Sequence, residues 1–290
     1  MLKRLLLATT MVLASVANAP AEEAAKPQEV AAQGSAVVAQ AQGATSSIQL
    51  VWQVYLGGFN LGNIGIKSSF NGNGYSAVSR LKTAGVVNSF YEAIIDATSV
   101  GTVAGAGLLP QKYDSNTNNE KQNQKVALAY SASGIQLFSD PPYNTDKYPV
   151  TDEQKRGTLD PLSGLVYSLS GVSITAEKPC GETVRVFDGR RRYDIEFKFA
   201  GQDKVKTDGG YSGPAIKCIV TYKQLAGFKP NLNKGRALPV ITAWFATLES
   251  AAGGPVKQFI VPVKIMTDTP YGVALAHARK ITVDGALKSS

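Results

Sequence analysis

The sequence predicts a mostly β protein, a curled antiparallel sheet forming a half-open barrel or spiral around one short helix. Three observations predict it. Segments rich in Val, Ile, Tyr, Phe and Thr recur from Ile48 to Val283, many of them separated by short Gly- or Asn-containing turns. One stretch alone combines helical apolar spacing with a strong capping residue. Many of the strand segments carry a single apolar face, and a sheet of about ten or more such strands curls or closes to hide its edges. With 290 residues, 44% of them hydrophobic and 18% charged, the chain can build a core and is too apolar to be disordered. All-β domains commonly reach about 200–250 residues, so residues 47–287 read as one domain.

The elements follow in order. Lys3 and Arg4 precede the apolar run Leu5–Val16, which falls short of the roughly 20 residues a membrane span needs and matches the core of a secretory signal. Residues 1–21 are therefore expected to be a signal peptide cut after Ala21, leaving no transmembrane segment and a periplasmic protein. Cleavage would remove two cations and take the formal net charge from +8 to +6. Residues 22–46 are rich in Ala, Gln, Glu, Gly and Ser without aromatics, and read as a flexible linker; a short helix over Pro27–Val38 would have little to pack on.

Strands are expected at Ile48–Leu56, Leu61–Phe70 and Tyr75–Thr83, the last two joined by a hairpin turn at Asn71-Gly72-Asn73-Gly74. Phe90–Thr98 reads as a strand, and Gly101–Pro110 as a glycine-rich turn. Asp114–Gln124 is polar, with four Asn, and reads as an exposed hairpin loop. Lys125–Tyr130 and Ile135–Phe138 form the next hairpin, which Pro141-Pro142 ends. Asp160-Pro161 is the clearest helix start, because Asp caps the first amides and Pro suits the first helical position. Leu162, Leu165, Val166 and Leu169 then recur at helical spacing up to Gly171. Strands resume at Thr183–Phe187 and Arg192–Phe199, separated by Asp188-Gly189. In the second, Tyr193, Ile195, Phe197 and Phe199 form one face and Arg192, Asp194, Glu196 and Lys198 the watery one. Further strands are expected at Ala215–Leu225, Val240–Glu249, Val256–Ile265 and Gly272–Val283.

The chemistry available is narrow. In an oxidising compartment the only two cysteines, Cys180 and Cys218, are expected to form a disulfide. The single histidine, His277, sits in a strand segment and reads as a surface residue; with the cysteines paired, no metal set and no cofactor are expected. Gly105-Ala106-Gly107 lacks the Lys-Ser/Thr that a phosphate loop needs and reads as a turn. No dense basic run with interleaved aromatics favours nucleic acid. Asp188-Gly189-Arg190-Arg191-Arg192 is the most pointed charge feature. Its guanidiniums Arg190, Arg191 and Arg192 could grip phosphate or carboxylate, or Arg192 could simply pair with Glu196 or a neighbouring strand. Asp188, Asp194 and Glu196 leave a carboxylate hydrolase as a further alternative.

Four segments together carry a resemblance: Tyr55-Leu56-Gly57-Gly58-Phe59-Asn60-Leu61-Gly62, Gly107-Leu108-Leu109-Pro110-Gln111-Lys112-Tyr113, Asp160-Pro161-Leu162-Ser163 and Phe187-Asp188-Gly189-Arg190-Arg191-Arg192-Tyr193. In that order they resemble the proteobacterial domain-of-unknown-function family 3108 across about residues 48–284. The resemblance implies a β-rich periplasmic protein without an assigned activity. The functional expectation is accordingly a non-enzymatic protein of cell-envelope maintenance, binding a lipid, acyl chain or peptide in a concave β surface. The alternative is an interaction module that recruits an envelope protein partner by strand addition.

Overall fold

The computed structural model describes residues 44–85, 92–119, 122–175, 177–229 and 238–288. The expected signal peptide, the expected linker as far as residue 43 and the possible helix over Pro27–Val38 lie outside the described residues.

One antiparallel sheet organises the domain. Its strands are β1 (Thr45–Leu56), β2 (Phe59–Asn71), β3 (Gly74–Thr83), β4 (Ala93–Ala104), β5 (Gly107–Asn119), β6 (Gln122–Ser131) and β7 (Gly134–Asp140), then β8 (Val184–Phe187), β9 (Arg192–Lys206), β10 (Ser212–Ala226), β11 (Ile241–Glu249), β12 (Gln258–Thr269), β13 (Gly272–Val283) and the two-residue β14 (Ala286–Leu287). Consecutive strands pair as a meander, and β1 joins the two halves by pairing with β13. The sheet does not close: β7 and β8 stand at its ends. Between them in sequence come α1 (Asp152–Lys155) and α2 (Pro161–Leu169). β1 takes in Thr45 and Ser46, which composition had left in the linker.

Local chemistry explains most elements. Asn71 pairs with Gly74 around a two-residue turn whose first residue, Gly72, has φ +54°, a region costly for other residues. Asp114–Asn119 is not the expected loop. It continues β5 as far as Asn119, pairing with β4 on one side and β6 on the other. The ladder from two neighbours outweighs the low strand propensity of Asn and Asp.

α2 forms where the cap predicts. Asp160 Oδ1 accepts the backbone N–H groups of Leu162 and Ser163 at 3.0 and 2.8 Å. Leu162, Val166 and Leu169 on one side of the helix enter the main core with Phe70, Tyr75 and Phe259. Their burial is worth on the order of 5 kcal/mol. The opposite side approaches β8 closely: a Cβ on Gly164 would lie 3.0 Å from Val184 Cγ1. Leu159 sits on the free edge of β8, donating to Arg185 O at 2.8 Å and accepting from Phe187 N at 2.9 Å. The helix also contacts β3, β4, β5 and β12, so the curled sheet wraps around it from both halves. The Cys180–Cys218 disulfide (Cα–Cα 6.1 Å) ties the segment after α2 to β10 and packs on Ala243, Phe245 and Ile260.

Candidate functional site

The face of the sheet turned toward α2 is concave and unevenly filled. Where α2 lies, inward side chains are fully buried: Ile48, Leu50, Phe70 and Leu128 are at most 1% exposed. Elsewhere on the sheet some inward side chains are only half-buried, although Leu56 and Ala274, the inward pair next after Val54 and Ala276, are buried again. Val220 and Ile241 are cross-strand partners, as are Ile265 and Ala276, Ala276 and Val54, and Ile64 and Leu81, and each of these is half-buried. Strand alternation fixes their side: Val220 shares a face, through Tyr222 and Ile195, with Val184, which approaches Gly164 of α2, and Ile265 shares one, through Ala276 and Val54, with the core residue Trp52. A side chain in mid-sheet that points inward and still meets solvent marks a part of the concavity that the helix does not plug.

A polar clasp holds the plugged half. Asp160 is fully buried. Its Oδ2 accepts from Ser163 Oγ at 2.5 Å and from Ser99 Oγ at 3.1 Å, and the Tyr75 hydroxyl lies 2.7 Å from Ser163 Oγ. α2 is thereby bonded to β3 and β4 through hydroxyls in an apolar surround. Burial pushes the Asp160 carboxyl up to about 6, against the pull of its hydroxyl and amide donors. Burial likewise raises Tyr75 to about 12. Sequence reasoning found Asp160 as a cap and missed the clasp; Ser163 three residues on was the one local signal, and nothing local marks Ser99 or Tyr75.

The Asp188–Arg192 turn closes over the gap between the ends of the sheet. Gly189 has φ +94°, and a Cβ there would meet Val126 Cγ1 at 2.8 Å and Leu137 Cδ1 at 3.1 Å, so the turn is pressed onto β6 and β7. Asp188 Oδ1 accepts the backbone N–H groups of Arg190 and Arg191 at 2.8 and 2.6 Å. The three guanidiniums part company. Arg190 lies 5.5 Å from the Tyr143 ring and Arg191 5.4 Å from the Phe228 ring. Arg192 is not on a watery face: it is 4% exposed, donates to Gln154 O and Tyr193 O, and pairs with Asp194 at 2.6 Å rather than with Glu196. Burial is tolerable because carbonyls and a carboxylate take its donors.

The carboxylates considered for hydrolysis are engaged separately, Asp188 in its turn, Asp194 with Arg192, and Glu196 with Lys223 at 3.2 Å. His277 is buried rather than a surface residue, 7% exposed and stacked on Tyr55 at 5.6 Å between ring centroids. Its partner Gln53 places it on the convex side, and burial lowers its pKa. Among the described residues, no group of three or more His, Cys, Asp or Glu is placed to hold a metal ion, and no helix is long and apolar enough to cross a membrane.

A solved structure, the beta-barrel-like protein of domain of unknown function DUF1849 from Brucella abortus, shares this fold with a TM-score of 0.50 and 13% identity, covering 82% of this chain and 98% of that one. No curated protein matches the chain. The model of the family described as protein of unknown function (DUF3108) matches residues 51–278, and the chain belongs to that family.

Proposed function

We propose that this protein is a non-enzymatic, exported component of the bacterial cell envelope that holds an elongated apolar ligand against the open half of its concave face. The single observation that carries the reading is the band of inward, half-buried apolar side chains including Val54, Ile64, Leu81, Val220, Ile241 and Ile265. Covering such a surface gains roughly 25 cal/mol for each Å² removed from water, and an acyl chain, a lipid or an apolar peptide segment has the shape to do so. The leader-like first 21 residues and the Cys180–Cys218 disulfide support export to the periplasm.

Titration with a fluorescent fatty acid tests the reading. Saturable binding is expected, weakened about fivefold or more by Val54→Thr, which keeps the side-chain shape and adds a hydroxyl to the proposed wall, or by Ile241→Thr, which also removes a methyl group. Absence of binding by folded protein would remove the proposal.

A second reading rests on a different observation. β8 has Leu159 on its outer edge, whereas β7 ends the sheet with Leu137 and Phe138 exposed at 40% and 59%. Such an edge can take a further strand from an envelope protein. Site-specific crosslinking from Phe138 in intact cells should then capture one discrete partner; crosslinks to none would dispose of this reading.

A further inference from the structure

The half-buried band ends, along β10, in a cluster that holds hydrogen-bond donors without acceptors. Tyr222 follows Val220 on the inward side of β10, its ring tilted against Tyr193 at 4.8 Å and edge-on to Phe228 at 6.3 Å. Gln224 comes next on the same side, opposite Tyr193. Its Nε2 is buried and has no partner among the described residues. Arg191, over Phe228, has its Nε buried and likewise unpartnered, and it forms no ion pair within the described residues. Arg190, over Tyr143, likewise forms no ion pair within the described residues, and both guanidiniums act electrostatically on the Tyr143 hydroxyl and on the buried Asp188 carboxylate. The cluster's own carboxylate, Asp188, spends Oδ1 on the two backbone N–H groups of the turn.

A buried donor left unpaired costs on the order of 1–3 kcal/mol, more when charged. Two orphans on neighbouring elements, both donors and one of them cationic, describe the complement of an oxyanion. We infer that Arg191 and Gln224, with Arg190 beside them, form a site for the carboxylate or phosphate head of a single-chain amphiphile whose tail lies along Val220, Ile241 and Ile265. The inference rests on the concave-face reading for the tail, while the head site stands on the orphan donors alone. It also explains a division within the arginine triplet. Arg192 is sealed against Asp194, whereas Arg190 and Arg191 feel the buried Asp188 carboxylate only at longer range and make no ion pair with it.

The test uses the processed protein with four probes. Hexadecanoic acid and a single-chain palmitoyl glycerol phosphate carry the anionic head as carboxylate or phosphate; hexadecanol carries the same chain without charge; inorganic phosphate carries the charge without the chain. At least one anionic amphiphile is expected to bind about tenfold more tightly than hexadecanol. Arg191→Gln should abolish that preference and leave hexadecanol affinity unchanged. Gln224→Met should weaken the anionic ligand while leaving the unliganded Tm equal or higher, because it removes an orphan donor without removing volume. Inorganic phosphate should raise Tm in the native protein and not in Arg191→Gln. Equal affinity for hexadecanol and the anions, with no phosphate effect, would overturn the anion site and leave the concave-face reading standing. A phosphate effect dependent on Arg191, with no chain binding, would keep the anion site and remove the apolar groove.

Discussion

Replacing Asp160 by Asn tests the buried clasp through pH. In the folded protein the Asp160 carboxyl titrates near 6, raised from 3.8 because burial penalises its charged form more than its hydroxyl and amide donors favour it. The native state therefore prefers the protonated acid. Its contribution to stability is fully present below the unfolded value and is lost as pH rises through about 4 to about 6. A shift of that size corresponds to about 3 kcal/mol, at 1.36 kcal/mol for each pH unit. Asn keeps the size, can still accept from the Leu162 and Ser163 amides, and does not titrate. Urea unfolding of both proteins at half-unit steps from pH 3.5 to 7.5 isolates the effect, since other groups cancel in the difference. The stability of the native protein relative to Asp160→Asn should fall by about 3 kcal/mol across that window. A difference that stays flat, or one that grows with pH, would mean that the four donors around the carboxylate outweigh its burial.

Other consequences are simpler to read. The disulfide spans 38 positions, so replacing both Cys180 and Cys218 by Ala should cost about 4 kcal/mol by the chain-entropy argument, seen as a lower urea midpoint; an unchanged midpoint would show that the bridge carries no stability. Gly101→Ala places a Cβ 2.3 Å from Leu109 O and 2.7 Å from the Tyr75 ring, and should cost about 1–3 kcal/mol while disturbing the Tyr75–Ser163 bond. Near-ultraviolet circular dichroism should report the loss of tyrosine order, and an unaltered spectrum and Tm would contradict the close approach.

Much of the architecture was legible because it is written locally. Alternation gave away the strand beginning at Arg192, and Asp160-Pro161 marked the start of the helix to the residue. What escaped is set by partners far apart in sequence. Nothing near Ile48 announces that it pairs with Val283, yet that register joins the two halves of the sheet. Asn-rich Asp114–Asn119 is a strand because ladders on both sides hold it, an effect no local propensity contains. Arg192 read as solvent-facing by alternation, and is buried because Gln154, 38 residues away, supplies a carbonyl. The clasp joins Asp160 and Ser163 to Ser99 and Tyr75 across 61 to 88 residues. The unevenness of the concave face depends on where a nine-residue helix stops inside a longer sheet, which only the packed chain reveals.

Titration calorimetry of hexadecanoic acid into the processed protein at several temperatures tests the central proposal most directly. One site per chain is predicted, with a heat-capacity change on the order of −0.2 kcal/mol/K for about 400 Å² of apolar surface leaving water. Heats indistinguishable from dilution, or binding with no heat-capacity change, would contradict it.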